Sequence, residues 1–123
     1  RQAPENLFCK IRIDYNGKSV CCAAKVDTGN TLTEPFSNAP VAVVYEECVA
    51  ELVPEPDSGK IRYVPFQAVS GAGLLPAFKP DKLTVICGKN QIEIYEVYIA
   101  VTKSKLGAFS ALLNPDLLQK TSV

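Results

Sequence analysis

The chain begins with an apolar and polar pattern that is typical of two half-buried β-strands. Residues 7–14 alternate at their carboxyl-terminal end, and residues 19–26 form a second, mostly apolar run. Asn16 and Gly17 lie between the two runs, and Asn-Gly is the strongest short signal for a hairpin turn. The pattern therefore predicts a hairpin whose second strand leads directly into Asp27.

The rest of the chain has several short apolar runs, separated by turn residues about every ten positions. Residues 83–87 and 92–101 flank Gly88-Lys89-Asn90, so they are predicted to form a second hairpin. The segments predicted as strands beyond the first hairpin are residues 40–45, 61–66, 83–87 and 92–101.

Two short helices are predicted among these strands. Residues 46–53 place apolar side chains at helical spacing until Pro54, and Asn114 with Pro115 is a typical N-cap and first helical position. Many short strands with one or two short helices predict an all-β domain that closes or curls into a β-barrel. Since no internal repeat or second domain is visible, residues 1–123 are predicted to form a single domain.

The composition is that of a folded globular protein, with 47% hydrophobic and 21% charged residues. Thirteen basic and thirteen acidic residues cancel, and no segment concentrates Lys and Arg, so no nucleic-acid partner is expected. The longest uncharged run, residues 64–78, is too short and too interrupted to span a bilayer. The chain begins at Arg1 without Met, so we expect it to be a fragment of a longer protein.

The five cysteines are odd in number, show no C-x-x-C spacing, and have no histidine beside them. No metal and no cofactor are therefore expected, and the histidine-dependent nucleophilic mechanisms are excluded. Catalysis must use carboxylates, lysines, thiols or backbone groups. The cysteines are predicted to be buried free thiols in a reducing compartment. They are Cys9, Cys21, Cys22, Cys48 and Cys87.

The sequence Asp27-Thr28-Gly29-Asn30 interrupts an apolar run and has two interpretations. It is compatible with a simple turn, because Asp and Asn bond their own backbone and Gly accepts positive φ. It is also compatible with an aspartic peptidase loop, which presents a carboxylate at the end of an interior strand and then needs small residues. Two such carboxylates side by side share one proton, so that one activates water and the other polarises the scissile carbonyl.

Longer strings carry a resemblance to a known family. They are VDTGNTLTEP, APVAVVY, VPFQAVSGAGLLPAFKPDKLTV and ALLNPDLL. With them the chain, over about residues 7–118, closely resembles the cytosolic protease domain of the sporulation pro-sigma-E processing peptidases. These are retropepsin-like aspartic peptidases of endospore-forming bacteria.

The resemblance implies a retropepsin-like closed β-barrel that removes the pro-segment of an inactive pro-sigma factor, pro-sigma-E, during sporulation. Asp27 matches the catalytic aspartate, and Thr28 and Gly29 complete the active-site loop. Because the chain has one Asp-Thr-Gly, a symmetric homodimer with one Asp27 per subunit is expected. The flap hairpin that closes over a bound peptide is predicted at Gly71, Ala72 and Gly73.

The resemblance also implies a location and further partners. The full-length protein is expected in the cell membrane, with an N-terminal multi-span region and this domain on the cytoplasmic side in the mother cell. A secreted signalling protein from the forespore is expected to act through the membrane region.

Two residues depart from the family pattern. Asn114 stands where retropepsins have a glycine before the C-terminal helix, and Asn tolerates unusual backbone angles better than most residues. Lys25 replaces an apolar residue two positions before the aspartate, and it is expected to be exposed or engaged elsewhere.

Two other functions stay open. One is a non-enzymatic β module that binds an extended peptide by strand addition. The other is phosphoryl transfer through an aspartyl intermediate, but neither a second acid nor a phosphate cradle follows Asp27. The other acids considered as partners, Glu34, Asp81 and Asp116, are predicted to be solvated surface carboxylates.

Overall fold

The predicted N-terminal hairpin is confirmed in the structure, a computed structural model that describes residues 8–119. Strand β1 (Phe8–Tyr15) pairs antiparallel with β2 (Lys18–Val26). Asn16 and Gly17 have φ values of 53° and 82°. Positive φ at both central residues is the geometry that makes Asn-Gly favourable in a two-residue hairpin turn.

The other elements are short strands with two short helices. All nine strands form one sheet in the order β4-β5-β8-β3-β9-β2-β1-β6-β7. The predicted all-β, retropepsin-like fold class is therefore confirmed. In chain order, the elements after β2 are β3 (Val41–Tyr45), α1 (Glu46–Val49), β4 (Arg62–Ala68), β5 (Gly71–Phe78), β6 (Lys82–Cys87), β7 (Asn90–Ile94), β8 (Tyr98–Thr102), β9 (Ala111–Leu113) and α2 (Asp116–Gln119). Neither helix of this set has the length and apolar character needed to cross a membrane.

The prediction of one strand over residues 92–101 is wrong. Its first part belongs to β7, which pairs with β6 as expected, but β8 leaves this hairpin and pairs with β3 and β5. The break falls at Tyr95 and Glu96, which are both exposed. Exposed residues at consecutive positions do not fit the alternation of a half-buried strand, and the chain uses them to cross to another part of the sheet.

The prediction of five free thiols is wrong for Cys9 and Cys87, which form a disulfide. They are 78 residues apart, but β1 and β6 are antiparallel neighbours, and the pairing of Lys10 with Ile86 places the two cysteines side by side. The prediction of a reducing compartment rested on five free thiols, and Cys9 and Cys87 no longer support it. Cys21, Cys22 and Cys48 are free, and Cys21 is exposed rather than buried.

Buried residues of β1, β2 and β6 form part of the main core, and this packing holds β2 in place up to its last residue, Val26. Ile11, Ile13, Leu83 and Val85 have no exposed surface. Strand β2 also pairs in parallel with β9, with Val26 opposite Leu113. Because the two strands are parallel, the residues that follow their carboxyl-terminal ends lie next to each other at the same end of the sheet.

Candidate active site

Asp27 follows β2 directly and is held by backbone hydrogen bonds at both of its ends. Its N–H donates to the carbonyl of Leu113 at 3.0 Å, and its carbonyl accepts the N–H of Asn30 at 2.9 Å. Its side-chain Oδ1 accepts the N–H of Gly29 at 3.0 Å. The carboxylate is thereby held in a fixed position and is half-buried.

The residues after Asp27 leave its carboxylate accessible. A Cβ atom on Gly29 would lie 3.4 Å from Oδ1 of Asp27, so a larger side chain would crowd the carboxylate. Thr28 and Gly29 are both exposed. The loop therefore combines a fixed carboxylate with an open approach to it.

A buried amide that the sequence analysis did not single out braces the loop from below. Asn30 is 6% exposed, and its Nδ2 donates to the carbonyls of Val41 at 3.1 Å and Leu112 at 3.4 Å. Its Oδ1 accepts the N–H of Leu32 at 3.1 Å. One side chain thus joins the Asp27 loop to β3 and β9. The signal in the sequence was an Asn directly after Asp-Thr-Gly, which the turn interpretation explained equally well.

Asn114, the departure from the family pattern, has a structural role in the same region. It is 2% exposed; its Nδ2 donates to the carbonyl of Leu32 at 3.4 Å, and its Oδ1 accepts the N–H of Asp116 at 2.8 Å. The second bond is the N-cap of α2 that the sequence predicted. Asn114 therefore ties the C-terminal helix to the segment that follows the Asp27 loop.

Replacement of Asn30 by Ala is expected to destabilise the fold by about 2–4 kcal/mol, because it removes three hydrogen bonds and leaves buried backbone groups unpaired. Urea unfolding followed by circular dichroism measures this loss. The matched control is Asn90→Ala, since Asn90 is exposed at the start of β7. A loss no larger than that of the control would contradict the bracing role.

The prediction that Glu34 is a solvated carboxylate is wrong, because Glu34 is 1% exposed. Its Oε1 accepts hydrogen bonds from the N–H and hydroxyl of Ser37, at 2.7 and 2.6 Å. Burial by itself raises the pKa of Glu34, but the hydrogen bonds from Ser37 and Phe36 and the positive charge of Arg62 bring it below the ordinary value. Glu34 thus closes the turn before β3 and is not a free partner for Asp27.

The remaining acids that were considered as partners lie at the surface, and Lys25 lies on the face of β2 opposite the core. Asp81 and Asp116 are exposed, and Asp81 accepts the N–H of Asn16 at 2.8 Å. Lys25 is half-buried between Phe8 and Leu112 in the sheet, and its neighbours in sequence are buried. It therefore points away from the core face of β2.

A cleft of about 330 Å³ lies over the Asp27 loop. Its lining is mostly apolar, and Asp27 is the one ionisable residue that the described part of the chain contributes to it. The cleft brings the Asp27 loop together with the β4–β5 hairpin. The lining residues are Asp27, Gly29, Asn30, Leu32, Val43, Phe66, Gln67, Leu75, Thr102, Ser104 and Leu112.

The predicted flap residues lie in this same hairpin. Gly71, Ala72 and Gly73 are the first residues of β5, next to the two-residue turn at Val69 and Ser70. They do not themselves line the cleft. Gly73 pairs with Phe66, and a Cβ on Gly73 would lie 2.7 Å from Cε1 of the Phe66 ring. The missing side chain of Gly73 is therefore what makes room for an aromatic ring that lines the cleft.

Over residues 8–119, no group of three or more Cys, Asp or Glu side chains is placed to hold a metal ion.

Comparison with known proteins identifies a peptidase family that this chain matches. Residues 1–117 match a peptidase family described as sporulation factor SpoIIGA. The chain is 36% identical over 118 residues to a probable sporulation sigma-E factor-processing peptidase of Clostridium acetobutylicum, a match that covers 93% of this chain and 43% of the relative.

Two further relatives are more distant. The sporulation sigma-E factor-processing peptidase of Priestia megaterium is 25% identical over 88% of this chain and 43% of its own length. The one of Bacillus subtilis is 22% identical over 92% of this chain and 45% of its own length. The chain thus spans less than half the length of these three relatives.

Proposed function

The chain belongs to the peptidase family of sporulation factor SpoIIGA, and we propose that it is the aspartic endopeptidase domain of a sporulation sigma-E factor-processing peptidase. The observation that carries the proposal is the Asp27 carboxylate. It is oriented by the Gly29 N–H at the end of an interior strand, and it is the one ionisable group that residues 8–119 bring to an apolar cleft. Replacement of Asp27 by Asn, with cleavage of a pro-sigma factor as the readout, tests the proposal.

An aspartic peptidase needs two neighbouring carboxylates, and the second one is proposed to come from a second copy of the chain. The acids considered within one chain do not supply it, because Glu34 is bonded to Ser37 and Asp81 and Asp116 are exposed outside the cleft. A twofold axis at the Asp27 loops would place each Asp27 beside its copy. Thr28, which is exposed, is then available to brace one loop against the other.

The chemistry follows from this pair. Two adjacent carboxylates share one proton. The ionised Asp27 takes a proton from water, and the oxygen of that water attacks the carbonyl carbon of the scissile bond. The protonated Asp27 of the other copy donates a hydrogen bond to the carbonyl oxygen. The intermediate then breaks the carbon–nitrogen bond, and the leaving nitrogen receives a proton from the pair.

The substrate and setting are part of the same proposal. The substrate is an inactive pro-sigma factor, whose pro-segment lies extended between the Asp27 loop and the β4–β5 hairpin and is held mainly by backbone hydrogen bonds. The names of the relatives, sporulation sigma-E factor-processing peptidases, support this substrate. The full-length protein is proposed to lie in the mother-cell membrane with this domain in the cytoplasm, where a forespore signalling protein activates it.

Replacement of Gly73 by Val tests the flap. The new side chain would displace the Phe66 ring, because even its Cβ would be 2.7 Å from Cε1 of that ring. The value of kcat/KM for a pro-sigma peptide is expected to fall roughly 10- to 100-fold, since small displacements of positioning groups cost this much. The control is Leu74→Val, because Leu74 lies outside the predicted flap residues and the cleft lining and is exposed on the other face of β5. Equal effects of the two replacements would show that Phe66 does not position the substrate.

A further inference from the structure

A second cavity, lined by cations, lies at the opposite end of β4 and β8 from the cleft. Its volume is about 300 Å³, and it is bounded by the starts of β4 and β8 and by the ends of β1 and β5. Three of its lining residues are cations and one is an anion. The lining residues are Tyr15, Gly59, Lys60, Arg62, Lys79, Asp81 and Tyr98. We call this the cationic cavity.

The charges of the cationic cavity are only partly compensated. Lys79 forms an exposed ion pair with Glu96 at 3.3 Å. The carboxylate of Asp81, the one anion, already accepts the N–H of Asn16. Across residues 8–119 neither Lys60 nor Arg62 forms an ion pair, and the guanidinium of Arg62 donates to a backbone carbonyl at 3.4 Å. The charge of Arg62 lowers the pKa of the buried Glu34 without forming an ion pair with it. The charged groups of Lys60 and Arg62 are therefore still available to an acidic ligand.

The cationic cavity and the Asp27 cleft are joined by two strands. Strand β4 begins with Arg62 at the cavity and reaches Phe66 at the cleft, and β8 begins with Tyr98 at the cavity and reaches Thr102 at the cleft. Four residues of extended strand cover about 13 Å. Strand β4 also lies at the end of the strand order, with β5 as its one described neighbour.

An extended peptide has the same rise per residue as a strand. A peptide that occupies the cleft and follows β4 would therefore bring the residue about four positions further along to the cationic cavity. We propose that the cationic cavity binds acidic side chains of the peptide in the cleft, about four to six residues from the bond that is cut. This inference rests on the proposed function, which makes the occupant of the cleft a peptide.

The shape of the site favours an acidic peptide over a membrane surface. The cations line a concave cavity with two tyrosines, Tyr15 and Tyr98, whose hydroxyls are further donors for a carboxylate. A bilayer surface instead attracts clusters of four or more cations on an exposed face. The chain as a whole has no net charge to draw it to an anionic surface.

Binding of labelled synthetic peptides to the full chain carrying Asp27→Asn tests the inference without relying on cleavage. Each peptide has a six-residue apolar core joined directly to a tail of three Glu or three Gln at either end, which places the tail four to six residues from the central bond of the core. At low ionic strength the better Glu peptide is expected to bind about tenfold more tightly than its Gln partner, since each exposed ion pair changes affinity by up to about fivefold.

In the double variant Lys60→Gln/Arg62→Gln, this preference is expected to fall below about twofold. The matched control is Lys10→Gln/Lys89→Gln, which removes two exposed cations outside the cavity and should keep the preference. Equal affinity for the Glu and Gln peptides, or a preference that survives in the double variant, would overturn the inference.

Further outcomes separate an acidic-peptide site from a lipid site. They also separate failure of this inference from failure of the proposed peptidase function. Binding to phosphatidylglycerol vesicles that requires Lys60 and Arg62, with no discrimination between peptides, would assign the cavity to lipid and contradict the proposal. If the wild-type chain cuts the Glu and Gln peptides equally well, the result supports the proposed peptidase function and contradicts the proposed role of the cationic cavity. If neither the Glu peptides nor the Gln peptides bind, both the inference and the proposed function are contradicted.

Discussion

Replacement of Asp27 by Asn is expected to lower the rate of pro-sigma factor cleavage by at least about 10⁴-fold, because it removes the group that is proposed to take the proton from water. The change is nearly isosteric, and the side-chain oxygen can still accept the N–H of Gly29. The fold should therefore be unchanged. Cleavage of purified pro-sigma factor, with circular dichroism on the same samples, measures both.

The control for this replacement is Asp116→Asn, which changes an exposed carboxylate outside the cleft and should leave the rate unchanged. The same pair of variants separates the peptidase from the peptide-binding alternative. A binding module would keep its effect on the pro-sigma factor when Asp27 is replaced. Full cleavage by the Asp27→Asn chain would reject the aspartic mechanism.

The second large effect is expected on dilution. If the active species is a dimer with one Asp27 from each copy, the rate per volume should fall about fourfold for each twofold dilution once the dimer dissociates. Fusion of two copies through a flexible linker raises their effective concentration and should restore a linear dependence. Initial rates over a concentration series, with sedimentation analysis of the same samples, measure this.

A monomer whose specific activity does not depend on concentration would contradict the dimer. The full-length protein is expected to be less sensitive to dilution than this chain, because the proposed membrane segments would hold two copies close together.

The parts of the fold that were predictable are those set by local chemistry. Asn16-Gly17 sets a hairpin because both residues accept positive φ, and Asn114 caps α2 through a side chain two residues away. These signals need only a few neighbouring residues. The position of Asp27 at the end of β2 followed from the same hairpin.

The features that were missed depend on contacts between distant segments. The disulfide between Cys9 and Cys87 exists because β1 and β6 are neighbours, and β9, with three residues, is too short to show a pattern. Glu34 is buried inside one turn, where Ser37 donates two hydrogen bonds to one of its carboxylate oxygens. Composition alone assigns a Glu to the surface.

The candidate site shows the same division. Asp27-Thr28-Gly29 was visible as a string, but the sequence did not indicate that the Asn30 side chain joins three segments around it. It also did not indicate that Gly73 is small because the Phe66 ring occupies the adjacent space. Both features require the sheet order, which brings β3, β9 and the β4–β5 hairpin around one loop.

Mixing of wild-type and Asp27→Asn chains tests the shared active site most directly. The wild-type concentration is held constant, the substrate is saturating, and the variant is added in increasing excess. Activity is expected to fall toward zero, because each wild-type chain is drawn into a mixed dimer with a single Asp27 carboxylate. Activity that stays at the wild-type level at every excess of a variant shown to form mixed dimers would contradict the shared active site.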